Sequence, residues 1–361
     1  GWAGEKLPAI VWSATGAQDM GAAMAETLFG RNNPAGRLNM TWYQGDWQLP
    51  DIDDYDIIDK GRTYRYFAGE TLYPFGYGMS YTQFAYSDLK VEPGDGGNLK
   101  VVFQVRNTGD REGDEVAQVY GVAPASRVKK PLRQLLGFRR LKGMKPGESR
   151  RVELTVDREE FRFYDVVGRK LMVEEGRYRI FAGPSSAEEA LSAWADLPGE
   201  KTGKRDTAEK TAADHYDGYE NMVLTEGHFG FTAAAVKDAS GKAALCYRDC
   251  LIDRESSEIV LPLKSEKGCS ARVFVDGSQA AQWEGDTAAY ERGGFPPMDE
   301  KSRREAEERR AGWKPIYADV CLPLDRDALE GKEGRAVEIR IELTGDVRLC
   351  YFRIRKRQEG R

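Results

Sequence analysis

One run of acidic residues has a spacing that could bind a cation. The run "DIDDYD" contains Asp51, Asp53, Asp54 and Asp56, and carboxylate oxygens are the ligands that calcium prefers. It lacks the glycine at loop position six and the glutamate at position twelve that an EF-hand loop requires. The run therefore predicts a solvated acidic loop, and no metal site is expected in the chain.

The histidines and cysteines do not predict a nucleophilic active site, a disulfide framework or a zinc site. His215 and His228 are the only histidines, and no G-x-S-x-G turn accompanies them, so a nucleophilic triad is not expected. No glycine loop of the nucleotide-binding types is present, and no cofactor is predicted. An odd number of cysteines without a C-x-x-C pair predicts reduced, buried thiols rather than disulfides or a zinc site. These cysteines are Cys246, Cys250, Cys269, Cys321 and Cys350.

Composition excludes several classes of partner. The chain has 361 residues and a formal net charge of −5, which gives no long-range attraction to nucleic acid or anionic membranes. No apolar run reaches the roughly 18 residues of a membrane-spanning helix. The chain opens at "GWAGEKLPAIVWSA" without an initiator Met or a leader segment, so we expect it to start within a longer protein. The missing leader and the reduced thiols slightly favour the cytoplasm over secretion.

Residues 1–90 are predicted to be the C-terminal remainder of an α/β-sandwich domain followed by an aromatic connector. "LPAIVWSA" is typical of a buried parallel strand, and "RLNMTWY" of another strand. Between them, Met20, Met24 and Leu28 form one apolar helical stripe that should end at Gly30. These elements are too few to close a core, so we expect upstream polypeptide to complete the layer.

The rest of the chain is predicted to be mainly β. Leu99, Val101, Phe103 and Val105 alternate with polar residues, and turn signals recur about every 8 to 12 residues, which indicates a β-sandwich over 91–185. Residues 186–212 are rich in charge, Ala and Thr and lack sheet periodicity. They are interpreted as a linker that holds at most one helical turn. Strand-like runs return over 213–361 and predict a second β-sandwich.

The connector "GRTYRYFAGETLYPFGYGMSYTQFAYSDL" is rich in Tyr, Phe and Gly. Aromatic rings bury large areas with only two side-chain torsions, which suits a rigid segment between two domains. Gly76 and Gly78 would let the backbone turn where a Cβ would clash, and Arg62 and Arg65 could stack on the rings. We therefore interpret the stretch as scaffold. The alternative is that Tyr64 or Tyr66 borders a distal sugar subsite.

Two long motifs carry a family resemblance. "AETLFGRNNPAGRLNMTWY" and the aromatic connector together closely resemble the end of the α/β-sandwich domain of glycoside hydrolase family 3. The following run "VRNTGDREGDEVAQVYGVAPASRVKKPLRQLLGFRRLKGMKPGESRRVELTV" resembles the fibronectin type III-like (Ig-like) domain of that family. The resemblance spans about residues 8–185. One departure is "ATGAQDMGAA", where the family usually has PG-x-x-GG, which puts the geometry of that turn in doubt.

The resemblance implies an activity whose catalytic groups this chain does not contain. Family members hydrolyse β-linked sugars with retention, using an Asp on an upstream (β/α)8 barrel and a Glu on the α/β sandwich. Both positions lie before Gly1, so no catalytic residue is assigned and the chain alone should be inactive. The implied partners are a β-linked oligosaccharide and the missing N-terminal barrel half or chain of the same enzyme.

Two further choices stay open at this point. "GRTYRYF" resembles the xylosidase-leaning branch of the family and so favours a β-xylosidase over a β-glucosidase. A stand-alone carbohydrate-binding accessory protein without hydrolase activity is the alternative to an enzyme fragment.

Residues 213–361 weakly resemble a carbohydrate-binding module of family 6, a jelly-roll β-sandwich. Trp313, just before a strand, occupies the place of that family's stacking tryptophan, and Tyr219, Trp283 and Tyr290 are secondary candidates. The asparagine usually expected before the final strand is absent, since "GDVRLC" stands there. A module that only packs on the enzyme body, without binding sugar, is the competing interpretation.

Overall fold

The computed structural model describes residues 6–16, 18–227, 232–287 and 317–356. The chain divides into two compact units. The first comprises Gly1–Tyr164 and Leu171–Lys201, and the second comprises Asp165–Lys170 and Thr202–Arg361. Both are built mainly from β-strands, which confirms the predicted fold class. Within the described ranges, every helix is too short or too polar to cross a membrane.

The N-terminal segment of the first unit has little regular structure. It contains helix α1 (Met20–Leu28), strand β1 (Trp42–Tyr43), a 3-10 turn (Asp46–Gln48), helix α2 (Thr63–Tyr66) and strand β2 (Thr71–Tyr73). Strands β1 and β2 pair with each other. No described residue before Gly76 is buried, so this segment forms no core of its own.

The predicted strand "LPAIVWSA" is wrong for this chain. Residues 7–14 form no strand, and Leu7, Val11 and Trp12 are exposed. The run "RLNMTWY" is likewise reduced to the two residues of β1. A parallel strand is stable only between hydrogen-bonded neighbours with both faces covered, and no strand among the residues with described positions pairs with this segment. Helix α1 contains the predicted stripe of Met20, Met24 and Leu28 and ends two residues before Gly30, but none of its residues is buried.

The rest of the first unit is a β-sandwich. Its strands are β3 (Phe84–Pro93), β4 (Leu99–Asn107), β5 (Gly113–Val122), β6 (Gln134–Met144), β7 (Ser149–Val156), β10 (Gly176–Gly183) and β11 (Leu191–Leu197). The short strands β8 (Phe163–Asp165) and β9 (Lys170–Met172) lie between β7 and β10 in sequence. One sheet has the order β3-β4-β7 and the other β11-β10-β5-β6. Because β3 begins at Phe84, the sandwich starts before the predicted boundary at residue 91.

The predicted alternation of β4 is confirmed. Leu99, Val101, Phe103 and Val105 are all fully or almost fully buried, and they belong to one apolar core with Ile180 of the facing sheet. The residues between them are less buried, and Asn107 at the strand end continues the buried face. Burial of one face against the other sheet is therefore the force that holds this sandwich together.

The predicted linker over 186–212 is not irregular throughout. Strand β11 pairs antiparallel with β10 along its whole length, from Gly176↔Leu197 to Ala182↔Leu191, and forms the edge of the sheet. Two further short strands, β12 (Arg205–Asp206) and β13 (Thr211–Ala212), lie in the same range, which contains no helical turn. Small alanines at the inward positions of β11 made its alternation easy to overlook, because alanine is a weak strand former.

The second unit is also a two-sheet structure. Its strands after β12 and β13 are β14 (Gly218–Glu220), β15 (Met222–Glu226), β16 (Thr232–Val236), β17 (Ala243–Leu251), β18 (Glu258–Ser265), β19 (Cys269–Val275), β20 (Ser278–Gly285), β21 (Ala318–Pro323), β22 (Ala336–Thr344), β23 (Val347–Leu349) and β24 (Tyr351–Arg355). Helix α3 (Arg326–Leu329) is a single turn. One sheet runs β12-β17-β22-β19-β20 with β14 on β17, and the other β13-β24-β18-β23-β16-β15 with β21 on β18. Residues from both sheets form one apolar core.

Candidate functional site

The connector is fixed to the sandwich by its aromatic side chains. The ring of Tyr64 stacks on Phe75 with 4.2 Å between centroids and meets Tyr120 of β5 edge-on. Its hydroxyl accepts a hydrogen bond from the backbone N–H of Leu135 at 3.2 Å. These contacts use both the face and the polar end of Tyr64. They support the scaffold interpretation over a sugar-subsite role for this residue.

Gly76 and Gly78 stand where a side chain would not fit. Gly76 has φ of +81°, and a Cβ there would lie 2.1 Å from Oε1 of Gln118. A Cβ on Gly78 would lie 2.0 Å from the carbonyl oxygen of Gly36. The backbone of Leu38 also bonds this stretch, since its N–H donates to Tyr77 and its carbonyl accepts from Gly76. The predicted reason for these two glycines is therefore confirmed.

Gln118 of β5 joins the connector to the sandwich. Its amide nitrogen donates to the carbonyl oxygen of Gly76 at 3.1 Å and to that of Pro184. Its amide oxygen accepts a hydrogen bond from the hydroxyl of Tyr120. Because Gln118 is almost fully buried, these bonds are protected from competition with water.

The prediction that Arg62 and Arg65 stack on the rings is not supported by their contacts. Arg62 instead donates to the carbonyl oxygens of Asp51 and Asp54, both at 2.7 Å. Arg65 donates to the amide oxygen of Gln134 at 3.0 Å. Carbonyl and amide oxygens satisfy a guanidinium more directly than a ring face does, and here they lie within reach.

A buried ion pair, which sequence reasoning missed, fixes an earlier point of the same segment. Arg37 and Glu115 of β5 approach to 2.8 Å, and their side chains are only 9% and 3% exposed. Tyr86 of β3 donates its hydroxyl proton to the other carboxylate oxygen at 2.7 Å. Burial raises the pKa of Glu115, although Arg37 and the Tyr86 hydrogen bond act in the opposite direction. Seventy-eight residues separate the partners in sequence, so no local pattern could reveal them.

The acidic run serves its own loop. Asp51 and Asp54 each accept a hydrogen bond from the backbone N–H two residues further on, and Asp56 caps the N–H groups of Ile58 and Asp59. These are Asx turns, which use the carboxylates to hold the backbone. Across the part of the chain that the structure describes, no group of three or more His, Cys, Asp or Glu side chains is placed to hold a metal ion.

Large apolar side chains cover the exterior of the N-terminal segment. Most of the exposed large apolar residues of the described chain lie before residue 82. They include Leu7, Ile10, Val11, Trp12, Met20, Leu28, Phe29, Met40, Trp47, Leu49, Ile52, Tyr55, Ile57, Ile58, Met79 and Tyr81. Apolar exposure on this scale marks a surface that another polypeptide or a ligand covers.

The cysteines and the described histidine show no catalytic arrangement. All five thiols are free, as predicted, and Cys250, Cys269 and Cys350 are buried. Cys321 is exposed, which corrects the expectation that all are buried. His215 lies 4.0 Å from Asp214, and burial lowers the pKa of its imidazole. His228 lies outside the described residues.

The predicted sugar-binding residues are not brought together where the structure describes them. Tyr219 lies on β14 opposite Leu245, and Trp283 lies on β20 opposite Ala271, so both face inward and pack against the core. Strands β17, β22 and β19 separate them, a distance of roughly 20 Å at the usual strand spacing. Trp313 and Tyr290 lie outside the described residues.

Two family descriptions match consecutive parts of the chain. Residues 1–81 match the glycosyl hydrolase family 3 C-terminal domain, and residues 115–186 match the fibronectin type III-like domain. These are the two domains that the sequence motifs indicated, in the same order.

Curated relatives match about half of the chain. The xylan 1,4-beta-xylosidase of Xylanibacter ruminicola is 40% identical over 188 residues, which cover 52% of this chain and 21% of that protein. The thermostable beta-glucosidase B of Acetivibrio thermocellus is 33% identical over 201 residues, covering 52% of this chain and 26% of that protein. The chain therefore spans only about a quarter of the length of these relatives.

A solved structure of similar sequence covers a similar share of the chain. Beta-glucosidase 3B from Thermotoga neapolitana, in complex with glycerol, is 35% identical, with a TM-score of 0.47, over 53% of this chain and 29% of that chain.

Proposed function

We propose, from the premise that the first half of this chain is the C-terminal part of a glycoside hydrolase family 3 protein, that the chain is the non-catalytic portion of a retaining, exo-acting β-glycosidase. The parent enzyme would remove terminal β-linked xylose or glucose by double displacement. That reaction needs two carboxyl groups about 5 to 5.5 Å apart across the glycosidic bond, and both would lie on polypeptide upstream of Gly1.

The exposed apolar surface of residues 7–81 carries this proposal. It lies in a segment that matches a family domain and yet buries no residue before Gly76. A folded segment without its own core must bury its apolar side chains against something else. An upstream portion of the same enzyme is the partner we propose for that surface.

The two candidate activities differ in the strength of their support. The relative named as a xylosidase has the higher identity of the two compared above, and "GRTYRYF" favours the same branch. We therefore place β-xylosidase ahead of β-glucosidase. The stand-alone accessory alternative is not favoured, because the relatives that match this half of the chain are named as glycosidases.

We expect the isolated chain to leave aryl β-xylosides and aryl β-glucosides intact. The reason is that, under this proposal, both catalytic carboxylates lie upstream of Gly1. Fusion of the upstream portion of the same gene to Gly1 should give turnover, faster with the xyloside than with the glucoside. Release of aryl alcohol would be followed by absorbance. Turnover by the chain alone would show that its own side chains perform the chemistry and would refute the proposal.

The second unit is proposed to contact the glycan through Trp313, with Tyr290 as a secondary candidate. Tyr219 and Trp283 are weaker candidates because each buries part of its ring against the core. In native gels that contain soluble xylan or β-glucan, we expect Trp313→Ala to migrate faster than the wild-type chain. Trp194→Ala, at an exposed tryptophan of the first unit, is the matched control, and it should leave retardation unchanged. Equal retardation of Trp313→Ala and the wild-type chain would remove this role.

A further inference from the structure

Trp47 holds one face of its indole against the backbone of Gly45. A Cβ built on Gly45 would lie 1.9 Å from Cζ3 of the ring and 2.4 Å from both Cε3 and Cη2. A point above Cζ3 along the ring normal has those distances, whereas a point in the ring plane would be clearly farther from the two neighbours. The glycine therefore supports the flat face of the ring and not its edge.

The opposite face of Trp47 is open. The side chain is 77% exposed, although it lies in the ordered 3-10 turn Asp46–Gln48. A flat ring supported on one side and open on the other is a platform on which a second flat, partly apolar surface can stack. The position of Gly45 shows that the chain accommodates the ring in this orientation, since any side chain there would displace it.

Polar side chains next to the turn hold one another in place. The amide oxygen of Gln48 accepts the backbone N–H of Gln44 at 2.7 Å, and its amide nitrogen donates to the carbonyl of Glu70 at 3.0 Å. The amide nitrogen of Gln44 lies 3.5 Å from a carboxylate oxygen of Glu70. Each amide nitrogen carries two protons and each carboxylate several acceptor sites, so this set keeps donors and acceptors for another molecule.

We propose that this surface, defined by Gly45, Trp47, Gln44, Gln48 and Glu70, binds a pyranose ring of a β-linked glycan. The apolar C–H face of the sugar stacks on the open face of Trp47. The amides and the carboxylate bond the hydroxyl groups that point outward from the ring. The inference rests on the proposed function, because a glycosidase that acts on a polymer binds it more tightly when it also holds a sugar unit distant from the bond being cleaved.

The upstream portion proposed to cover the other exposed apolar residues of this segment is the competing occupant at Trp47, and the polar side chains around Trp47 favour the sugar. Burial under an apolar protein surface would leave the remaining donors and acceptors of Gln44, Gln48 and Glu70 without partners, which is unfavourable. Sugar hydroxyl groups both donate and accept, and they can satisfy these atoms while the ring stacks.

Affinity electrophoresis of the full chain in gels that contain soluble xylan tests the proposal. All variants carry Trp313→Ala, so that only the contribution of the first unit is measured. We expect Trp47→Ala to bind about tenfold more weakly than the parent, the loss typical of an aromatic contact at the centre of a site. Gly45→Ala should give a similar loss, because it keeps the indole and every polar group but displaces the ring. Trp47→Phe should retain part of the binding.

Trp194→Ala is the matched control. Trp194 is also an exposed tryptophan of the first unit, at 56%, but the guanidinium of Arg177 lies over its ring at 5.4 Å. Its removal should leave retardation unchanged. Equal retardation of Trp47→Ala and its parent, equal losses in Trp47→Ala and Trp194→Ala, or no retardation of the parent would each overturn the proposal.

The experiments distinguish failure of the Trp47 sugar site from failure of the proposed glycosidase function. Failure of the platform would leave hydrolysis of aryl β-xylosides by the fused enzyme unchanged, since those substrates have no distant sugar rings. Failure of the proposed function would appear as turnover by the isolated chain, whatever the gels show. If Trp47→Ala keeps full retardation and weakens association with the upstream portion, then Trp47 is a protein contact and the proposal is wrong.

Discussion

Replacing Glu115 by glutamine should lower the free energy of unfolding of the first unit by about 3 to 5 kcal/mol. The substitution leaves the guanidinium of Arg37 buried without its counter-charge, at a site where the two side chains are almost fully excluded from water. The neutral amide oxygen is also a weaker acceptor than the carboxylate for the hydrogen bond from the Tyr86 hydroxyl. The shift would be measured by urea-induced unfolding at pH 7.

The ion pair between Asp114, which precedes Glu115 on β5, and Arg140 of β6 provides the control for Glu115. Asp114 bonds Arg140 at 2.7 Å, but their side chains are 21% and 54% exposed. Solvent screens such a pair, so Asp114→Asn should lower stability by less than about 1 kcal/mol. The double variant Arg37→Met with Glu115→Gln should lose less than the sum of its single variants, because each removes the partner that the other leaves unpaired. Strictly additive losses would show that the two side chains do not act as a pair.

Replacing Gly76 by alanine should destabilise the first unit by about 3 kcal/mol or more. Two effects combine at this position. A non-glycine residue is strained at φ of +81°, and its Cβ would lie 2.1 Å from Oε1 of Gln118 and 2.9 Å from the hydroxyl of Tyr120. Because the displaced atoms belong to the buried network that holds the connector, the connector should also become accessible to proteases. Urea unfolding and limited proteolysis would measure the two effects separately.

Gly147 separates the two effects. It has φ of +78°, but a Cβ there would have no atom within 4 Å. Gly147→Ala should therefore show only the backbone strain, about 1 kcal/mol, and unchanged protease resistance in the connector. Equal losses in the two variants would mean that the fit of Gly76 against Gln118 contributes nothing.

Sequence reasoning succeeded where a structural feature is local. The alternation of Leu99 to Val105 is set by which face of a strand meets the core, and period two records that directly. The role of Gly76 and Gly78 was also accessible, because a glycine between aromatic residues indicates close approach of the backbone. The run "LPAIVWSA" failed for a physical reason, because its apolar residues are typical of a strand that pairs with neighbours, and the described residues provide no such neighbours.

Features that depend on distant contacts were missed. The Arg37–Glu115 pair and the Asn33 side chain, which bonds Ser80 and the backbone of Glu112, join residues that lie far apart in the chain. The platform at Trp47 has a local signal in "QGDWQ", but its meaning depends on the ring orientation and on Glu70. Periodicity records which face is buried, and it carries no information about which polar partners meet across the fold.

The way the connector is held has a consequence for recombination between related genes. Residues 33–38 and 76–82 bond to each other and to β5, so in this chain the N-terminal segment and the β-sandwich share a joint that is itself folded. In a chimera of two related proteins joined at residue 83, Gly76 and Arg37 would come from one parent and their contact partners Gln118 and Glu115 from the other. The junction of a stable chimera should therefore lie before Asn33, so that the fibronectin-like sandwich and residues 33–82 come from the same parent.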